Sequence, residues 1–262
     1  MDPLAGIGCQ DEADIRLDEA ALHLAAADRP KADVRPDLAW LDSLGMRLPR
    51  GLVAAPQRAA ALVGVLAEAE GFTGDTEDYD APRNADLISV LARRRGLPIA
   101  LAILYVGIAR RAGWHARVLA LPGHVLAAIE GETSVTLIDA FAGGRTVEPA
   151  ELPSLATTLA RGQPLRSGDA ALLSNRETLV RLVMNQASRA RQSGDIQRAL
   201  TLYRRLTQVA PGMPALWWER ARLEQLSGDT DAARRSLAAM RETTRDPALS
   251  DRIRQAYEAL AR

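Results

Sequence analysis

From residue 14 onward, apolar positions recur with the period of a helix. Ile15, Leu17, Leu22 and Leu24 share one face over Asp14–Ala27, with acidic residues in the first turns, and the pattern predicts an amphipathic helix. Further helices are expected over Pro36–Leu44 and Pro56–Glu70, before Gly71-Phe72-Thr73-Gly74-Asp75 breaks the periodicity. Another helix begins after Pro82 and runs to Arg95. The longest apolar stretch follows, Gly96 to Ala109, closely flanked by Arg93, Arg94, Arg95 and Arg110. It is too short to span a bilayer and reads as a buried core helix over Pro98–Ala112, with Pro98 suited to its first turn.

After Gly113 the period shortens to that of strands. His115–Leu121, His124–Glu130 and Thr133–Asp139 alternate or run apolar, separated by Pro122-Gly123 and Gly131-Glu132. If Gly131-Glu132 is a two-residue turn with glycine first, His124 lies opposite Asp139, Leu126 opposite Leu137 and Ala128 opposite Val135. That is an apolar face with one His–Asp pair at its end. The pairing is conditional on the turn, because a slip changes the partner.

The C-terminal part repeats itself. A shift of 34 residues carries Gly194-Asp195 onto Gly228-Asp229, Ala187 onto Ala221, Ala199 onto Ala233 and Leu206 onto Met240. Small alanines let paired antiparallel helices approach, Gly-Asp turns the chain, and Pro211 stops the second helix. Period and pattern resemble the tetratricopeptide repeat over Asn175 to Thr244, with Ala248–Leu260 as a capping helix; the bland alternative is an unrelated helical bundle. About three such repeats are usually needed to stand alone, so a tail of two is expected to pack on the preceding domain. In the register of that family Met184, Ser188, Trp218 and Arg222 face the concave groove. Trp218 beside an arginine can anchor a peptide or simply fill the inter-repeat core, and the second role is the commoner one.

A carboxylate beside an imidazole is the base half of a nucleophilic triad; the other half is a thiol at a helix N-terminus. The order helix, strand-rich sheet, His and then Asp resembles the transglutaminase-like, papain-related superfamily. There Gly-x-Cys opens a helix, Arg-x-x-Gly lies near its end, and His and Asp follow on adjacent strands. Gly96-Leu97-Pro98 matches the opening, Arg110-Arg111-Ala112-Gly113 the end, and His124 and Asp139 the rest, so the nucleophile's position falls on Pro98. Pro82-Arg83-Asn84, Val90 to Ile99, Leu104-Tyr105, Pro122-Gly123-His124 and Ile138-Asp139-Ala140-Phe141 are similar to the bacterial Sir-B-type family, a transglutaminase-like core followed by tetratricopeptide repeats. The family carries proline at the cysteine position as well. Related cores in some eukaryotic F-box proteins point, by analogy, to protein binding. The chain departs from the pattern at Tyr79-Asp80-Ala81, where Tyr-Tyr-Asp is usual, at Val125, where an aromatic follows the histidine, and at Ala140, where proline is usual.

Composition narrows the function. With 33 basic and 33 acidic residues and an aromatic fraction of 4%, the chain has neither the basic surplus nor the stacking platform of a nucleic-acid binder. Its single cysteine, Cys9, cannot form an internal disulfide, which fits the cytoplasm; the residues before it lack the basic start and apolar stretch of a signal peptide. Three histidines without ligand spacing argue against a metal, and no cofactor is expected. From Gly96 to Ala102 there is no Ser, Thr or Cys, and Pro98 lacks a backbone N–H for an oxyanion, so thiol catalysis is disfavoured.

The expected architecture is α+β: a transglutaminase-like core over 1–170, helical to 112 and strand-rich over 113–150, then two repeats and a cap over 171–262. The expected function is a non-catalytic binding or regulatory scaffold, a pseudoenzyme with a protein or peptide partner and neither nucleic acid nor membrane. Its ligand candidates are Tyr79, Arg83, Asn84, His124 and Asp139. His124–Asp139 is read equally as a satisfied structural pair or a ligand contact, Asn84 as a cap or loop brace, Arg83 as a partner of Asp139 or Asp78, and Arg93-Arg94-Arg95 as a solvated helix end. The rival reading is a hydrolase or transferase in which His124 is general base on water and Asp139 orients it.

Overall fold

The apolar run that opens at Pro98 folds as one helix, buried from Pro98 to Ala109. The computed structural model describes residues 3–29, 31–159 and 170–260. Two compact units divide the chain: Glu12–Leu179, and Met1–Asp11 with Val180–Arg262. In chain order the helices are α1 (Pro3–Cys9), α2 (Leu17–Ala26), α3 (Arg35–Met46), α4 (Ala55–Val63), α5 (Leu87–Arg93), α6 (Pro98–Arg111), α7 (Leu152–Leu159), α8 (Asn175–Gln192), α9 (Ile196–Val209), α10 (Pro214–Leu226), α11 (Thr230–Thr243) and α12 (Pro247–Ala259). The strands are β1 (Thr73–Gly74), β2 (Arg95–Gly96), β3 (Ala116–Leu121), β4 (His124–Glu130), β5 (Val135–Asp139), β6 (Arg145–Val147) and β7 (Ala171–Leu173).

The larger unit is built on an antiparallel sheet of order β6-β5-β4-β3-β7. Helix α6 packs on β3 and β4, and α4 on β4 and β5. The other face, bearing Leu121, Leu126, Ala128, Leu137 and Val147, is covered by Leu152, Leu155 and Ala156 of α7. Burying an alternating face on each side of one sheet gives the α+β architecture expected from the change of period. The helix expected over Pro56–Glu70 is α4 continued by a π-helical turn, Gly64–Ala69, in which Glu70 N donates to Val65 O at 3.1 Å. A short parallel ladder, β1 with β2, delivers the chain directly into α6.

The hairpin register differs from the one expected. Ala128 pairs with Leu137 and Glu130 with Val135, two residues away from the predicted partners. Gly131 is not the first residue of a two-residue turn. Its N–H donates to Ser134 O at 2.8 Å, so Glu132 and Thr133 form the tip. The glycine is needed for close approach, since a Cβ there would lie 2.4 Å from Ala55 N. A slip of two residues keeps every side chain on its original face, so His124 and Asp139 still meet, diagonally rather than directly.

In the smaller unit α8 to α11 form two helical hairpins. Gly194 and Gly228 leave α8 and α10 with φ of +78° and +82°, the left-handed conformation in which glycine meets no Cβ penalty. Asp195 and Asp229 then cap α9 and α11, their carboxylates accepting from Arg198 N and Ala232 N, each at 2.9 Å. Ala187, Ala199, Ala221 and Ala233 are buried between the helices, and Ile253 of α12 closes the array against Ala221, Leu237 and Met240. The buried Glu224 carboxylate joins the second hairpin internally. It accepts from Arg220 Nε at 2.9 Å and from Ser236 Oγ at 2.6 Å. Helix α1, which no periodicity predicted, packs on α9 with Leu4 and Ile7 buried and leaves Cys9 exposed at its end.

Candidate functional site

His124 opens β4 and Asp139 ends β5, which places both at one rim of the sheet. His124 Nε2 lies 3.1 Å from Asp139 Oδ2, with both side chains about nine-tenths buried. The other carboxylate oxygen accepts the backbone N–H groups of Phe141 and Ala142, each at 3.1 Å. Burial pushes the Asp139 carboxyl up, but the His124 contact and the two N–H donors outweigh it and hold the group below its ordinary value. The charged form of Asp139 is thus favoured, with His124 Nε2 within ion-pair distance of it.

Phe141, absent from the expected ligand candidates, joins this pair to the neighbouring loop. Its ring stands edge-on to His124, centroids 6.3 Å apart, and to Tyr79 at 5.7 Å. Phe141 O accepts from Gly74 N at 2.9 Å, and a Cβ on Gly74 would come within 2.5 Å of the ring. Gly74, within the sequence break, is the position where the aromatic ring rests on backbone. Tyr79 is 40% exposed, so the trio forms an aromatic edge with Tyr79 at the surface and His124 within.

Asn84 and Arg83 diverge. Asn84 is fully buried; its Nδ2 donates to Asp78 O at 2.6 Å and its Oδ1 accepts from Arg93 Nη1 at 2.8 Å. Its carbonyl also accepts from Leu97 N at 2.8 Å, immediately before α6. Asn84 is a loop brace. Arg83 is half exposed and pairs with Asp78 at 2.9 Å, not with Asp139.

The arginine cluster is not a solvated helix end, as expected, except at exposed Arg95. Arg93 reaches Asn84 and Asp75, and Arg94 lies over the rings of Trp40 and Phe72, at 4.3 and 4.9 Å. Arg94 also closes α5 with φ of +59°. Planar guanidinium groups here satisfy loop carboxylates and cover aromatic faces.

Pro98 is the first residue of α6 and is buried. Two turns further on, the Tyr105 hydroxyl is buried against Gly144 with no hydrogen-bond partner among the described residues, and burial pushes its ionisation up. Among the described residues no three His, Cys, Asp or Glu side chains gather as a metal site, and no helix is long and apolar enough to cross a membrane.

In the smaller unit Met184 and Ser188 are half-buried and Arg222 is exposed, bonded to Glu219 at 3.0 Å. Trp218 packs against the cluster of Ala221, Leu237, Met240 and Ile253, and the Arg252 guanidinium lies over its ring at 3.9 Å.

Three relatives place this geometry. A UPF0162 protein of Xylella fastidiosa strain Temecula1 is 30% identical over 163 residues, 61% of this chain and 58% of the relative. The corresponding protein of strain 9a5c is 28% identical over 186 residues, 70% of this chain and 66% of its own. The chain therefore spans less than two thirds of the length of either. Human F-box only protein 21 is 30% identical over 131 residues, 47% of this chain and 20% of that protein. The tetratricopeptide repeat family matches residues 186–258. The transglutaminase-like superfamily matches residues 17–184, the span that carries the sheet, α6 and the His124–Asp139 pair, and the chain belongs to that superfamily.

Proposed function

We propose that this protein is a non-catalytic member of the superfamily, of the bacterial Sir-B type, acting in the cytoplasm as a binding or regulatory scaffold whose repeats dock a protein partner. The observation that carries the reading is buried Pro98 at the first position of α6. A nucleophile in this superfamily stands at that helix start, and proline offers neither a thiol nor a backbone N–H for an oxyanion. The first turn beyond it, through Ala102, is wholly apolar. Asp139, with one oxygen on His124 and the other on two backbone N–H groups, is a finished structural anchor as it stands.

On this reading the core's ligand surface is the exposed edge of Tyr79, backed by Phe141 and His124, and it takes a peptide or small polar group. The partner surface of the repeats includes Met184, Ser188 and Arg222, with Trp218 stiffening the wall behind them. The rival, a hydrolase or transferase using His124 as general base on water, rests on the same 3.1 Å contact. Assays with an aryl ester and with a glutamine peptide plus amine donor separate the two. Wild type and His124→Ala are both expected at the buffer background. Wild-type turnover that collapses in His124→Ala would overturn the scaffold reading.

A further inference from the structure

The zero net charge of the chain hides an uneven division. The unit of Met1–Asp11 and Val180–Arg262 carries 15 basic and 11 acidic residues, whereas Glu12–Leu179 carries 18 and 22. Opposite signs on two units of one chain point to a charged partner.

Part of the basic surplus lies on the first helices of the hairpins. The 34-residue shift carries Met184 of α8 onto Trp218 of α10, and Trp218 onto Arg252 of α12, so the last helix continues the same row. Arg191 follows Met184 by seven residues and Arg222 follows Trp218 by four, spacings that share a helix face. The contacts agree. Nη1 of Arg191 and Nη1 of Arg222 both donate to the Glu219 carboxylate, at 2.9 and 3.0 Å, and Arg252 lies over Trp218.

Three guanidinium groups are thus set against one carboxylate. Arg191 and Arg222 are about half exposed and Arg252 is exposed, so all three can be reached. Asp251, the acid next to Arg252 in sequence, is held by Arg254 at 2.9 Å, and Arg252 forms no ion pair among the described residues. Stacking on a ring occupies the face of a guanidinium and leaves its in-plane N–H donors available to a carboxylate.

We propose that this face of the repeats docks an acidic peptide segment, whose side-chain carboxylates pair with Arg191, Arg222 and Arg252. Such docking rests on the reading of the repeats as a protein-binding surface and specifies the chemistry of the partner. Single-stranded nucleic acid fits less well, because it needs free aromatic faces and Trp218 already carries Arg252.

The test is fluorescence anisotropy of hexaglutamate, labelled with rhodamine at its N-terminus and amidated at its C-terminus, so that only side-chain carboxylates are offered. Titration with the full chain is expected to give saturable binding that weakens as salt is added. Arg222→Gln and Arg252→Gln change exposed side chains that the fold does not need, and each is expected to weaken binding about threefold. Arg222→Glu, which turns an attraction into a repulsion, is expected to weaken it about tenfold. Arg241→Gln, at an exposed position on α11, is expected to leave it unchanged. Absence of saturable binding, an equal loss in Arg241→Gln and Arg222→Gln, or oligothymidine binding more tightly than the peptide overturns the proposal. The ester and amine-transfer assays judge the scaffold reading separately: inert wild type without peptide binding removes only the acidic partner, and turnover by wild type removes the scaffold.

Discussion

Asp195, Asp229 and Asp139 perform the same local act, a carboxylate accepting the N–H of a residue two or three positions ahead. In the repeats that act is the whole story: the two caps stand 34 residues apart, each after a left-handed glycine, and each helix pair is completed by its sequence neighbours. At the rim of the sheet the same carboxylate is also held by His124 from another strand, and the backbone it caps carries a ring that rests on Gly74, far back in the chain. The repeats are built from near-neighbour rules applied twice. The site is built from segments that meet only when the whole unit folds.

The sharpest way to break this comparison is to remove the buried carboxylate that links the second hairpin. Glu224→Ala strips Arg220 Nε and Ser236 Oγ of their shared acceptor, leaving Arg220 only its Thr207 hydrogen bond, and the loss is expected to be about 3–5 kcal/mol, as for other buried pairs stripped of one partner. Urea unfolding followed by far-ultraviolet circular dichroism measures it, and a loss below 1 kcal/mol would show that the repeats rest on apolar packing alone. The matching change in the core is Asn84→Ala, which strands the Asp78 carbonyl and one Arg93 donor. About 2–3 kcal/mol is expected from the unsatisfied buried groups, read from the same denaturation curves.

These two residues also mark how far the sequence can be read. The 34-residue offset exposed the tail because each repeat obeys the same local grammar, down to Gly-Asp and the buried alanines. In the core the helices and the three longer strands follow from periodicity, whereas β6 and β7 are three residues each, too short for an alternation to register. Gly131 misled because a glycine in a hairpin has two uses, turn conformation and close approach, and only the position of Ala55 distinguishes them. The arginine run misled for a similar reason, since polarity is visible in the sequence and the loop carboxylates and rings that absorb it are not. The His124–Asp139 contact remained legible because face parity survives an even slip.

A milder test separates the two roles of Asp139. Asp139→Asn keeps the shape and weakens the hydrogen bonds of the charged form, for an expected loss of about 2 kcal/mol at neutral pH. The folded carboxyl titrates below its ordinary value, so its contribution is complete above the unfolded aspartate value of about 3.9 and is lost as pH falls through the lower folded value. Stability measured from pH 6 down to 2.5 should therefore fall more steeply in wild type than in Asp139→Asn. Parallel acid limbs would mean that the histidine and the two N–H groups do not favour the charged form after all.

The smallest expected effects bear most directly on the idea of one rule applied twice. Asp195→Ala and Asp229→Ala each remove a side-chain cap and nothing else in the interior, so each is expected to cost about 1 kcal/mol. Because the capped helices occupy equivalent places and the caps share no partner, the two losses should match, and the double variant should equal their sum. Near-neighbour construction requires both results. If Asp195→Ala instead costs much more than Asp229→Ala, α9 bears a load that α11 does not, and α1, which packs on α9 alone of the two, is the structural difference that accounts for it.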